Sequence, residues 1–265
     1  MAVEDKIKVA KIADKTGVRV DGEIDVRLTS LTLHYPSRSM DDMFGKPLPT
    51  EFRDRLLKLS EAAEADGEPL RWFEELYSTA NRASEEIPWA RMEPHPKMVE
   101  WIAGQPDVQG KALVVGCGLG DDAEWLSAVG FEVTAFDISE SSINWCIERF
   151  PSTEVDYRVA DLLNPPTDWL NMFDLIVEIH ILQAIPESVR DPAADQLPPM
   201  LKLEGSLLCI GRLAGFQIPK EQPPPWPLSR TWLEGKFSTL KPTSFSHFVY
   251  DESPSVDRYV AAWRR

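Results

Sequence analysis

The sequence has no apolar run approaching the roughly 20 residues that a membrane-crossing helix requires. Its mixed-charge start, MAVEDKIKVAKIADK, also lacks an apolar segment, so no secretory leader is expected. Basic residues are few: 28 Lys and Arg stand against 43 Asp and Glu, a net charge of −15. That balance argues against a nucleic-acid substrate, which demands clustered cations, and against an acidic membrane surface. Cysteine is confined to Cys117, Cys146 and Cys209, without metal-ligand spacing. Such a set reads as free thiols in a reducing, cytoplasmic setting. The four histidines form no H-x-x-x-H pair, so no metal is expected. What remains is an ordinary globular composition. At 265 residues with 43% hydrophobic content, the chain suffices for one large domain, alone or with an appendage.

One stretch, Lys111 to Ser139, organises the rest. Ala112 to Val115 is apolar and of strand length. Gly116, Gly118 and Gly120 follow, and Asp121-Asp122 stand where a helix would begin. An apolar stripe through Ala123, Leu126 and Val129 stops at Gly130. A second buried-strand pattern ends at Asp137. Strand, glycine turn, helix, strand and acid make a right-handed βαβ unit of a parallel sheet.

A turn of residues without side chains lets a ligand lie on the backbone at the sheet's carboxyl edge. An acid ending the second strand can accept both hydroxyls of a ribose. A dinucleotide site needs G-x-G-x-x-G and a free helix N-terminus for its pyrophosphate. Here the spacing is G-x-G-x-G, and two aspartates would repel a pyrophosphate. A cationic sulfonium with an amino-acid tail suits them better, so the expected cofactor is S-adenosylmethionine (SAM).

Val114-Val115-Gly116-Cys117-Gly118-Leu119-Gly120, with Asp137 after the second strand, resembles the opening motifs of class I SAM-dependent methyltransferases. The acid of that pattern two positions before the first glycine is Val114 here. Pro88-Trp89 and Pro94-x-Pro96 resemble the P-W-D-x-G-x-P-x-P segment of the thiopurine and thiol methyltransferase branch, with Ala90 and Glu93 at its Asp and Gly. The resemblance covers about 69–265. It implies cofactor contacts at Trp89, Gly116, Cys117, Gly118, Asp137 and Ile138. It also implies adenine contacts at Asp161, for which a solvated loop acid is the alternative, and at the Leu162 backbone.

The first residues, 1–68, read as an N-terminal extension: a hairpin within Val18 to Tyr35, then a helix from Thr50 to about Ala65. Residues 69–265 form the catalytic domain. A helix follows Pro69, and a short one spans Lys97 to Ala103. Beyond Asp137, Ser139 caps a helix (Glu140 to Arg149) with Ile143, Cys146 and Ile147 inward. Val155, Tyr157 and Val159 alternate as a third strand, and Phe173 to Val177 is the fourth. Glu178 and His180 follow, where this class meets methyl group and acceptor. They are the candidate catalytic residues, with Glu178 also a candidate for the methionine part of SAM. An imidazole of ordinary pKa, about 6.5, would let His180 take a proton from the acceptor. A purely structural histidine is the alternative.

Ile185 to Leu203 reads as a crossover helix interrupted near Pro198-Pro199, and Gly205 to Arg212 as the fifth strand. The proline-stiffened Ile218 to Leu228 then hangs over the site. Arg212 and Arg230 flank it, either as a clamp for a substrate carboxylate or as surface ion pairs. Arg91 and Trp226 complete the candidate substrate contacts. Ser244 to Tyr250 and Val256 to Trp263 alternate as an antiparallel hairpin. The expected fold is therefore α/β: a Rossmann-like, doubly wound sheet of seven strands, mostly parallel, ending in that hairpin. The expected function is methyl transfer from SAM to a small soluble molecule, with sulfur preferred and nitrogen or oxygen open. A nucleotide-dependent oxidoreductase and a non-catalytic SAM-binding regulator are the alternatives.

Overall fold

The computed structural model describes residues 50–105, 107–215, 224–250 and 256–265. The expected hairpin at 18–35 and part of the expected wall at 218–228 lie outside them. Seven strands form one sheet: β1 (Lys111–Val115), β2 (Glu132–Asp137), β3 (Asp156–Val159), β4 (Phe173–Ile179), β5 (Leu201–Arg212), β6 (Lys241–Phe248) and β7 (Arg258–Arg264). Their order is β3-β2-β1-β4-β5-β7-β6. The first five are parallel neighbours, and β7 enters antiparallel between β5 and β6. The order reverses between β1 and β4, and crevices for ligands open at the carboxyl ends of strands at such a point.

Helices cover both faces. α1 (Thr50–Ala65), α2 (Arg71–Thr79) and α3 (Pro96–Ala103) precede β1. α4 (Asp121–Ala128) links β1 to β2, and α5 (Glu140–Arg149) links β2 to β3. α6 (Ile181–Ala184), α7 (Glu187–Asp195) and α8 (Leu197–Met200) lie between β4 and β5, and α9 (Arg230–Lys236) precedes β6. Side chains alternate across the central strands, so Leu113, Val115 and Ile176 enter one apolar cluster and Ala112, Val114 and Val177 the other. Leu56 and Ala63 of α1 join the first cluster with Trp72 and Leu76 of α2. The expected boundary at residue 68 thus divides a helix pair that shares one core. Among the described residues no helix is long and apolar enough to cross a membrane.

Three local expectations change. The crossover is three short helices, and β5 begins at Leu201, because Pro192, Pro198 and Pro199 remove amide donors and restrict the residues before them. In α5 the inward side chain is Trp145, while Ile147 is 49% exposed. Val159 is 53% exposed because β3 is the sheet's edge strand, with a neighbour on one side only.

Candidate active site

The glycine turn sits at the reversal point of the sheet. Gly116, Gly118 and Gly120 have φ of +58°, +55° and +89°, a region costly for residues with a Cβ. A Cβ on Gly116 would lie 2.3 Å from Ile181 Cδ1, and one on Gly118 would lie 3.2 Å from the Tyr77 hydroxyl. The Cys117 amide donates to the Phe136 carbonyl at 2.8 Å, joining the turn to β2. Burial raises the Cys117 thiol well above its usual range, so it packs rather than reacts. From α5, Ser142 Oγ (2.6 Å) and Cys146 Sγ (3.1 Å) hold the Gly118 carbonyl.

Asp137 ends β2 with its carboxylate accepting from the amides of Gly118 and Ser139, each at 3.0 Å. Burial nevertheless pushes its pKa up to about 6. β2 pairs Asp137 with Val159, so Asp161 lies just beyond the neighbouring strand end. Its Oδ1 accepts from the Leu163 amide at 2.9 Å, and the Leu162 side chain enters the core. Ile138 packs against the same cluster. Trp89 covers the turn at the other side: its indole N–H donates to the Tyr77 hydroxyl at 2.7 Å.

Both aspartates at the start of α4 have protein partners. Asp121 is bridged by Arg149 at 2.8 Å, and Asp122 accepts from the His95 amide at 2.6 Å. Two carboxylates in the first turn of this helix disfavour a pyrophosphate at its N-terminus. A glycine turn with a terminal acid and carboxylates at the helix start suits an adenosyl sulfonium better than a dinucleotide.

Glu178 lies within β4, not after it, and is fully buried. Its Oε1 accepts from the Leu182 amide at 3.0 Å, so it caps α6, the helix whose Ile181 closes on Gly116. Burial pushes Glu178 up to about 7. His180 follows at φ +64°, its Nδ1 3.0 Å from Gln183 Oε1. Burial, with the charges of Arg212, Arg258 and Arg91, lowers its pKa to about 4. The ordinary basicity assumed for it from the sequence is therefore absent. His95 stands beside it, ring centroids 6.3 Å apart, and is lowered by burial in the same way.

The structure sorts the candidate substrate residues differently from the sequence. Arg212 ends β5 opposite Arg258 of β7, and with Arg91 both act electrostatically on His180. Arg230 is elsewhere, exposed, bridged to Glu234 at 2.7 Å and lying 4.4 Å over the Phe245 ring. Its surface-pair reading prevails because α9 turns it toward β6. Trp226 donates its amide to the Gln183 carbonyl at 2.7 Å, with its ring 5.8 Å from the Arg190 guanidinium. Sequence reasoning missed His95, Gln183, Arg258 and Glu74. The first three are assembled from distant segments, and no spacing pattern links them. Glu74 follows buried positions on α2 and reads as solvent-facing. Among the described residues no cluster of His, Cys, Asp or Glu is placed to hold a metal.

A seven-stranded sheet of this order, with a glycine cradle at its switch point and an acid ending β2, defines the class I SAM-dependent methyltransferase fold. Within that class the chain belongs to the thiopurine S-methyltransferase family, whose sequence model matches residues 79–254. Thiocyanate methyltransferase 1 of Brassica oleracea is 27% identical over 46% of this chain and 55% of its own length. The Arabidopsis thaliana protein of the same name is 29% identical over 48% and 57%. The chain thus spans little more than half the length of these relatives. A SAM-dependent methyltransferase of Methanosarcina mazei superposes with a TM-score of 0.54 at 13% identity, covering 65% of this chain and 98% of its own. The 1,6-didemethyltoxoflavin-N1-methyltransferase of Burkholderia thailandensis, solved with S-adenosylhomocysteine (SAH), superposes at 0.51 with 14% identity over 83% and 92%.

Proposed function

We propose that the protein transfers the methyl group of SAM to a small soluble sulfur nucleophile, taken up as its thiolate. The observation that carries this reading is that Arg91 (itself bridged to Glu93 at 3.0 Å) and Arg258 act on both His95 and His180, Arg212 acts on His180 as well, and desolvation lowers both imidazoles. Bound SAM supplies an electrophilic methyl on a sulfonium. Asp137 would accept the ribose hydroxyls, and Gly116, Cys117 and Gly118, in the tight turn beside it, would border the cofactor. Ile138, Asp161 and Leu162 would border the adenine, and Trp89 with Tyr77 would exclude water.

The acceptor's charge follows from magnitudes. A thiol of pKa about 8.5 facing an imidazole of about 4 would give up its proton at a cost of roughly 6 kcal/mol. A guanidinium about 6 Å from an anion would favour it by roughly 3 kcal/mol at an effective dielectric of about 20, and less for Arg91, which is bridged to Glu93 at 3.0 Å. Ionisation by the arginine field therefore outweighs general-base help from His180. An S–CH3 bond forms as the sulfonium S–CH3 bond breaks, and no proton moves. The opposite charges cancel, so a dry, aligned site favours the reaction. Glu178, buried beneath α6, would act by holding that helix. The names of the thiocyanate methyltransferases support sulfur over nitrogen or oxygen.

The test pairs calorimetry with product analysis. Wild type should bind SAH, and Asp137→Ala should bind it about 10–100-fold more weakly, the loss of charge-assisted hydrogen bonds. Aryl thiols should be methylated in preference to the matching anilines and phenols. Unchanged SAH affinity in the variant, or amine products predominating, would overturn the reading.

A further inference from the structure

Gln183 is fully buried, yet every polar atom of its amide is used. Its Oε1 accepts from the Arg212 amide at 2.7 Å, and its Nε2 donates to the Arg212 carbonyl. Those two backbone contacts fix which end of the amide is oxygen, because an N–H must face the oxygen and a C=O must face the nitrogen. The same Oε1 lies 3.0 Å from His180 Nδ1. A carbonyl oxygen only accepts, so Nδ1 carries the hydrogen. In a neutral ring Nε2 is then the bare nitrogen.

His95 has the opposite arrangement. Its Nδ1 accepts from the Lys97 amide at 3.2 Å, as the N-cap of α3. Nδ1 is therefore bare and Nε2 carries the hydrogen. Burial and the nearby arginines keep both rings neutral at pH 7. Among the described residues neither Nε2 has a hydrogen-bond partner. Gly211 allows this arrangement: a Cβ there would come within 2.5 Å of Gln183 Oε1.

We propose that Gln183 is a positioning residue that locks His180 as the Nδ1–H tautomer, so that His180 and His95 present one acceptor and one donor nitrogen to the methyl acceptor. This rests on the reading of that edge as the acceptor site. The class of acceptor follows: an anionic sulfur, which takes the His95 Nε2 hydrogen, with a neighbouring N–H or O–H that donates to His180 Nε2. A lone thiolate would satisfy only half of the pair.

The full-length protein, labelled with 15N-histidine, tests the lock directly. Two-bond proton–nitrogen spectra at pH 7 should show His180 with a protonated Nδ1 and His95 with a protonated Nε2. In Gln183→Ala, and in Gly211→Ala, which crowds the amide without removing it, His180 should become a tautomer mixture. Wild type should methylate 2-aminobenzenethiol with kcat/KM about fivefold above benzenethiol, one neutral hydrogen bond, and Gln183→Ala should lose that preference. SAH affinity should stay within about twofold in all of them. A wild-type His180 protonated at Nε2, or equal rates for the two thiols, would overturn the proposal. Wild type that binds no SAH would instead sink the methyltransferase reading, and the spectra would still decide the tautomers.

Discussion

Burial, more than any single neighbour, sets the charge of the titratable side chains around the cradle. Asp137 and Asp122 are held near 6, Glu178 near 7 and His180 near 4, with desolvation the largest cause for each. The two signs act oppositely on stability. Glu178 titrates near 7 when folded and near 4.3 when unfolded, so across that window the native chain keeps a proton that the unfolded chain has released. Its contribution to stability therefore falls as pH rises. His180, near 4 folded and about 6.5 unfolded, adds stability as pH rises through its own window. Glu178→Gln keeps an oxygen for the Leu182 amide and removes one titration only. Its stability relative to wild type should grow by about 2 kcal/mol between pH 5 and pH 8 in urea melts. A pH-independent difference would show that Glu178 is ionised throughout.

Between elements, the tie that matters most is α2 to the first turn of α5. Glu74 of α2 accepts from Ser139 Oγ (2.6 Å), the Ser141 amide (3.0 Å) and Ser141 Oγ (2.6 Å). These bonds and the helix's positive end hold the carboxyl below its usual range despite its partial burial. Ser139 also donates its amide to Asp137 and caps α5 through the Ser142 amide at 3.0 Å. One acid thus connects the helix that carries Tyr77 to the turn that follows Asp137. Glu74→Ala should weaken SAH binding about tenfold and cost about 1–2 kcal/mol of stability, with the far-UV spectrum unchanged. Equal affinity in calorimetry would confine Glu74 to a surface contact. The broken crossover belongs to this scale too. Its prolines announce interruption, but where each helix ends depends on packing against β4 and β5.

For the whole molecule, the linkage between cofactor and fold separates the competing readings. SAH at about 100 times its Kd should add about 2.7 kcal/mol to stability, raising Tm by roughly 5–10 °C. NAD and NADP should leave Tm in place, because Asp121 and Asp122 set carboxylates at the helix start where a pyrophosphate would bind. A shift with NAD and none with SAH would favour the oxidoreductase. The sequence alone determined the cradle. Glycine at 116, 118 and 120 and acid at 137 answer to backbone geometry within one βαβ unit, and such geometry is written locally. The apolar runs likewise specified the central strands, since a strand buried on both faces has few alternatives. Only the tertiary structure decided the surroundings of His180. β7 inserts beside β5, so Arg258 from the end of the chain faces Arg212, while Arg230, nearer in sequence, turns away. Charge, protonation and tautomer at that edge depend on groups brought together from residues 91 to 258, and a side chain's chemistry follows its neighbours in space.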